Sequence, residues 1–359
     1  MRTRMTLMLA ACGLALGPVA QAMPLGDGMA QTAQVGRATD RNAALEYWRL
    51  IHTASGHSEV IDRAKGAVNL QMHPRPDSGE VAVDSPATLE PGGALALELV
   101  ELAGYLDDAE RATRTPVCDF QIRYEDGYAM LISHLGPMRG IAFLMVADAR
   151  RLALAGDEAG AAERLASTIR LSRHVVGDRT LINSLVSVAI MWIVIEESEW
   201  LLDRAGDPAA IRRVIGEALE RFPLDDPYNV EGALRIEQDM AASLARQFHG
   251  PNAGRDFLAA MDFSFSGEDN THANEVRAMD GAAFKRATER VVDVFDLVLE
   301  AWREDDPQAA LHEIERACVE GQHGPLTSLI VPSLSNAQNR DAEARAKLRA
   351  FRDHVDGDG

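Results

Sequence analysis

Residues 139–219 read RGIAFLMVADARRLALAGDEAGAAERLASTIRLSRHVVGDRTLINSLVSVAIMWIVIEESEWLLDRAGDPAAIRRVIGEAL, and this stretch decides the fold. After Ile141, the residues Phe143, Leu144, Val146, Ala147, Leu152 and Leu154 recur at three- and four-residue steps, which places them on one face of a helix. Gly156-Asp157 ends that helix, with Gly suited to a left-handed C-terminal position and Asp able to cap the next one. The following helix carries Ala161, Leu165, Ile169 and Leu171 on one face, so an antiparallel pair is expected. Gly177-Asp178 repeats the stop and the cap. The run from 181 to 202 is then a third helix, and its middle, 185–195, is apolar all round. Eleven such residues fall short of the roughly twenty that a membrane span needs, so this is expected to be the central buried helix, emerging at Glu196, Glu197 and Glu199.

The same turn returns as Gly206-Asp207-Pro208, with Pro at the first helical position, where a missing amide costs nothing, and again as Asp305-Asp306-Pro307. Aligned on the turns, Ala161, Ile211 and Ala310 coincide, as do Leu165, Ile215 and Ile314, then Thr168, Ala218 and Ala317. This pattern resembles the inter-helix turn and second helix of a tetratricopeptide-type unit. A regular array repeats about every 34 residues, whereas here the turn aspartates are Asp157, Asp207 and Asp306. Ordinary helical hairpins closed by the same turn are the alternative. The expected fold is all-α, a stack of antiparallel helical hairpins, as a degenerate tetratricopeptide-like array or an irregular α-α superhelix.

Composition sets the function classes. The 359 residues carry a formal charge of −19, and aromatics make up 5%. An acidic surface repels nucleic-acid phosphates and anionic lipid head groups, so neither is an expected partner, and a basic protein or peptide is. Residues 1–22 have the layout of a secretory signal: Arg2 and Arg4, an apolar run from Met5 to Val19, then Ala20-Gln21-Ala22. Removal of that segment makes the remainder two units more acidic. The segment around Cys12 resembles a lipobox, but the apolar run before it is short and continues past it, so ordinary cleavage is preferred over a lipid anchor. The expected location is periplasmic or secreted.

In chain order, 23–39 reads as a flexible leader, 40–355 as one helical domain and 356–359 as a tail. Asp40 is expected to cap the first helix, with Ala44, Leu45, Trp48, Leu50 and Ile51 on its apolar face and a partner over 58–68. The proline-rich 71–93 reads as loop and 94–114 as helix. Residues 115–132 are the least helical part of the interior, a short hairpin about Asp126-Gly127 or an irregular loop. Further helices are expected over 228–248, 281–303, 307–319 and 333–355, with the polar, Gly-rich 250–274 as a long mobile loop.

Cys118-Asp119-Phe120, Glu125-Asp126-Gly127, His134-Leu135-Gly136 with Arg139, Gly156-Asp157, Thr180-Leu181-Ile182 and Val331-Pro332-Ser333-Leu334 together resemble an exported helical family of unassigned activity. The resemblance implies a helical fold and export over most of the chain, and it transfers no catalytic residue. That family's pattern continues into a Tyr-Pro-containing segment, which this sequence does not contain before it stops at Gly359.

Candidate chemistry is sparse. The sequence has no Cys-x-x-Cys, phosphate-binding loop, Gly-x-Ser-x-Gly or dinucleotide fingerprint, and His312-Glu313 lacks the second His of a zincin, so no cofactor is expected. Cys118 and Cys318 would form one disulfide in an oxidising compartment or stay as two thiols. Asp119, Arg123, Glu125, His134 and Arg139 concentrate beside the irregular segment. They are the candidate binding residues, or else ion pairs and caps fastening a loop to the helical body. Arg179, Asn183 and Ser187 either line a groove or bond to neighbouring backbone. The expected function is an exported scaffold that binds a protein or peptide. The alternative is a helical hydrolase or lyase with Asp119 or Glu125 and His134 as acid and base.

Overall fold

A helix without a polar stripe must find neighbours around most of its circumference. The computed structural model describes residues 42–72, 86–130, 132–223, 225–261, 271–304, 306–331 and 334–357 and supplies those neighbours. Among the described residues there are fifteen α-helices and no strand, so the protein is all-α. In order they are α1 (Ala43–Ala54), α2 (Ser58–Met72), α3 (Ala94–Glu101), α4 (Ala103–Thr113), α5 (Leu135–Leu154), α6 (Glu158–Val176), α7 (Leu181–Leu202) and α8 (Pro208–Leu219). There follow α9 (Val230–Gln247), α10 (Ala253–Ala260), α11 (Thr271–Arg277), α12 (Gly281–Ala301), α13 (Pro307–Val319), α14 (Pro325–Ile330) and α15 (Leu334–Asp356). The signal segment, leader, Cys12, Asp40, most of the proline-rich stretch and Asp305 lie outside the described residues.

The antiparallel run α5–α6–α7 is the body's centre, and α5–α6 and α6–α7 are the most extensive helix contacts. Gly156 takes the left-handed position that ends α5 (φ +86), and Asp157 accepts the Gly160 amide at 2.9 Å. Helix α7 begins and ends where the apolar run begins and ends. By length and composition it could cross a membrane, yet 67% of its most apolar window is buried in the protein. Its neighbours are α5, α6, α9 and α15, and Ile190, Met191 and Val194 have no exposed surface.

Helices α9 and α12 form a second packed pair, with α10 and α14 against α12 and α11 packed on α10 and α14. Helix α15 returns to cover α7 and α8 as well as α13. One connected hydrophobic cluster runs through all of this.

Several expectations need correction. Gly177 does end α6 as its C-cap, in a right-handed conformation (φ −54), but Asp178 is not the next cap: Thr180 caps α7, accepting the Asn183 amide at 3.3 Å. The left-handed residue is Arg179 (φ 54). Asp178 does not cap because its carboxylate faces inward, as described below. The helix expected over 94–114 is divided at Leu102, just before Gly104, which weakens helix there.

The stretch 250–274 is not one long loop, since it contains α10 and the start of α11. Gly254 serves close packing. A Cβ on Gly254 would collide with the Val276 carbonyl, and the neighbouring Phe257 is fully buried. Of the two readings of 115–132, the described residues follow the irregular loop and not the hairpin. The segment holds an isolated parallel bridge between Asn42 and Val117 and a 3-10 turn at Tyr124–Ala129.

The repeat-like alignment holds only locally. Ala161, Leu165, Thr168, Ile211, Ile215 and Ala218 are all buried, and α6 and α8 pack side by side. In α13, Ala310 and Ile314 are only half-buried, and that helix packs on α12 and α15 instead.

A buried ion cluster ties α4 and α5 to α6. Arg164 donates to Asp148 at 3.0 Å, to Asp107 at 3.1 Å and to the Leu106 carbonyl at 2.9 Å, while Arg151 approaches the other Asp148 oxygen at 2.7 Å. Asp148 is 1% exposed. Removing it leaves a guanidinium buried without its main counter-charge, so Asp148→Ala is expected to lower unfolding free energy by about 3–5 kcal/mol in urea denaturation. A loss below about 1 kcal/mol would show that the cluster is not holding the helices.

Candidate functional site

The irregular segment between α4 and α5 is where polar side chains from distant parts of the chain meet. At its end, just before α5, His134 is buried, and its Nε2 donates to Asp178 Oδ2 at 2.8 Å. The carboxylate must accept, so Nε2 carries the proton in this arrangement. Phe120 stacks on the His134 ring with centroids 4.0 Å apart and planes 13° apart, and Trp48 of α1 closes edge-on at 6.3 Å. Asp178 also accepts from Asn183 Nδ2 at 3.3 Å, and its main-chain carbonyl accepts from the Tyr124 hydroxyl. Asn183 gives its second amide hydrogen to the Val175 carbonyl at 3.0 Å.

A second buried histidine, His174, meets this ring cluster through Tyr47, which lies 6.2 Å from Phe120 and 5.8 Å edge-on from His174. His174 Nε2 donates to the Thr115 carbonyl at 3.0 Å, which leaves Nδ1 to accept from the Tyr47 hydroxyl at 3.0 Å. Those two partners specify the neutral ring, and burial holds His174 well below the usual histidine range, at about 4.

The outer part of the segment rests on α9. Tyr128 donates to the Glu237 carbonyl at 3.2 Å, and Gln247 donates to the Glu125 carbonyl at 2.9 Å. Gly127 (φ +56) sits so close that a Cβ would stand 3.1 Å from Ser243 and from Gln247. The half-buried Glu237 carboxylate accepts the Leu181 amide at the start of α7 at 3.3 Å, and burial raises its pKa to about 7.

The five residues singled out from sequence do not converge. His134 is inside, bonded to Asp178. Asp119 is exposed, and its carboxylate accepts the Gln121 amide at 2.8 Å. Arg123 pairs on the surface with Glu125 and Asp126, each at 3.2 Å. Arg139 lies over the Phe143 ring one turn along its own helix, 5.5 Å from the centroid. The acid/base arrangement of His134 with Asp119 or Glu125 therefore has no hydrogen bond between its members.

Cys118 and Cys318 are both free thiols. Burial pushes Cys318 up to about 11 and raises Cys118 further, so neither is an activated nucleophile. Asn183 and Ser187 bond to α6, Ser187 through Ser172 at 2.8 Å, and do not line a groove; Arg179 is exposed. Sequence reading missed Asp178, His174, Tyr47 and Glu237. The single signal present was the polar Asp178-Arg179-Thr180 triplet opening an apolar helix.

A shallow cleft of about 370 Å³ lies where α6 and α8 begin. Its lining includes Ala162, Ala210, Ile211 and Val214, and Asp157, Glu158, Asp207 and Arg213 provide its charged groups. Asp157 and Asp207 each spend an oxygen on their helix caps, and Glu158 accepts the Gly206 amide at 3.0 Å. No group of three or more His, Cys, Asp or Glu side chains suited to a metal ion occurs among the described residues.

Compared with known proteins, the chain matches no family model, no curated protein and no solved structure.

A carboxyl with a raised folded-state pKa stabilises the fold fully below its unfolded value and loses that contribution as pH rises through the folded value. For Glu237 the window runs from about pH 4.5 to about 7. Glu237→Gln keeps an acceptor for Leu181 and removes the charge. It should therefore be about 1–3 kcal/mol more stable than wild type at pH 8, with the gap closing below pH 4.5. Chemical denaturation at both pH values checks this, and an equal difference at both would show that Glu237 does not titrate in the window.

Proposed function

We propose that the protein is an exported helical scaffold that binds a basic protein or peptide segment. The observation that carries the reading is the cleft at the shared start of α6 and α8. There an apolar floor of Ala162, Ala210, Ile211 and Val214 is edged by three carboxylates against one guanidinium. An alkyl-ammonium or guanidinium side chain has the chemistry for such a place, since its stem can cover apolar surface while its head meets carboxylates. The overall formal charge of −19 would speed encounter with a basic partner and make it sensitive to salt. Export rests on the layout of residues 1–22 and on the resemblance to an exported helical family. Membership of a tetratricopeptide-type array rests on the α6 and α8 alignment alone.

The test uses variants that keep the helix caps. Asn caps as well as Asp does, so the double variant Asp157→Asn, Asp207→Asn removes two charges while leaving the Gly160 and Ala210 amides their acceptors. Fluorescence anisotropy against labelled arginine-rich, neutral and acidic peptides should show a preference for the basic set that weakens on raising the salt. The double variant should bind about three- to tenfold more weakly, as two partly exposed charge pairs imply. Equal binding of all three peptide classes, or an unchanged affinity in the double variant, would overturn the reading.

A further inference from the structure

His174 joins three pieces of the fold through its two ring nitrogens. It belongs to α6, accepts a hydrogen bond from Tyr47 of α1, and donates one to Thr115 at the head of the irregular segment. The Thr115 bond needs a proton on Nε2, and the Tyr47 hydroxyl donates to Nδ1 only while that nitrogen is unprotonated. Adding a proton at Nδ1 turns the acceptor of the Tyr47 hydroxyl into a donor aimed at it.

The Thr115 carbonyl favours that extra charge, but burial and two arginines oppose it. From α1 the ring faces Tyr47, and from the irregular segment it faces the Thr115 carbonyl. Cys118, also on that segment, acts electrostatically on Tyr47. On its own helix the charges acting on it are Arg170 and Arg173, both of like sign. Asp178, on the turn after α6, already holds His134 and Asn183. Arg170 is itself committed to Glu163 at 2.6 Å.

Release at this point has a defined consequence. Phe120 and Trp48, which cover His134, sit on the irregular segment and on α1, the two pieces that His174 fastens. The two pieces are tied to each other by the Ala43 amide to the Val117 carbonyl at 2.8 Å and by Asn42 to both main-chain groups of Asp119 at 2.9 Å, and α1 also packs on α4 and α5 through apolar side chains. We propose that His174 is an acid-sensitive latch: its protonation loosens α1 and residues 115–123 from α6 together and uncovers the His134–Asp178 pair, while the α5–α6–α7 centre stays folded.

The sign follows from the group. A buried histidine held neutral stabilises the fold fully above its unfolded pKa, near 6.5, and that contribution is lost as pH falls toward about 4. Glu237 acts in the opposite direction and at the other end of the segment, on α9, so a local measurement separates the two.

The experiment is hydrogen–deuterium exchange with peptide-level mass spectrometry on the full chain at pH 7.5 and pH 5.0, corrected for intrinsic exchange. Peptides covering 43–54 and 115–123 are expected to lose protection on the order of tenfold at pH 5.0, while peptides within 181–202 keep theirs. His174→Gln offers an amide donor to Thr115 and a carbonyl acceptor to Tyr47 without titrating, and should keep protection at both pH values. Tyr47→Phe removes the partner that favours the neutral ring and should move the loss of protection to higher pH. Unchanged protection of 43–54 in the wild type, an equal loss in His174→Gln, or an unmoved midpoint in Tyr47→Phe would each overturn the latch.

Discussion

The Asp178 carboxylate is buried, and a buried carboxylate persists only where donors surround it. Its donors come from two places that are far apart in sequence: His134 at the start of α5 and Asn183 in the first turn of α7. The same residue's carbonyl takes the Tyr124 hydroxyl from the 3-10 turn. One residue thus fixes where two core helices begin and where the irregular segment lies across them. The left-handed Arg179 next to it follows from this, because the chain must turn Asp178 inward and still present Thr180 as the cap of α7. Such a backbone conformation costs a non-glycine residue on the order of 1 kcal/mol and persists where neighbouring contacts outweigh it.

What could be read from sequence was what local chemistry specifies. The helices 181–202 and Pro307–Val319 have the boundaries read from the apolar run and from the proline, and the Gly156-Asp157 turn behaves as its residue types require. The errors arise where a residue answers to a distant partner. Asp178 looks like a cap because Asp after Gly usually is one, and only the buried His134 diverts it. Gly254 looks like a mark of mobility, and only the nearby Val276 carbonyl makes it a packing requirement. Polar residues clustered near one another in sequence, such as Asp119, Arg123 and Glu125, turn outward to bond locally. The residues that assemble inside, Tyr47, His134, His174 and Asp178, come from three separate stretches.

The two ends of α6 carry different kinds of polar interaction. Around the irregular segment, bonds are few, buried and specified atom by atom, so protonation of one ring changes what the segment can hold. Where α6 and α8 begin, carboxylates face solvent over small apolar side chains, and their caps tolerate Asn in place of Asp. A surface of the second kind can evolve toward a partner without disturbing the fold. An assembly of the first kind holds the fold itself.

His134 and Asp178 are expected to stabilise the protein together. A double-mutant cycle of His134→Ala and Asp178→Ala, followed by urea denaturation at pH 7, measures this directly. A coupling energy above about 1 kcal/mol is predicted for a buried, hydrogen-bonded pair of this kind. Single-variant losses that simply add, within about 0.3–0.5 kcal/mol, would contradict the claim that Asp178 holds the irregular segment to the helical body through His134.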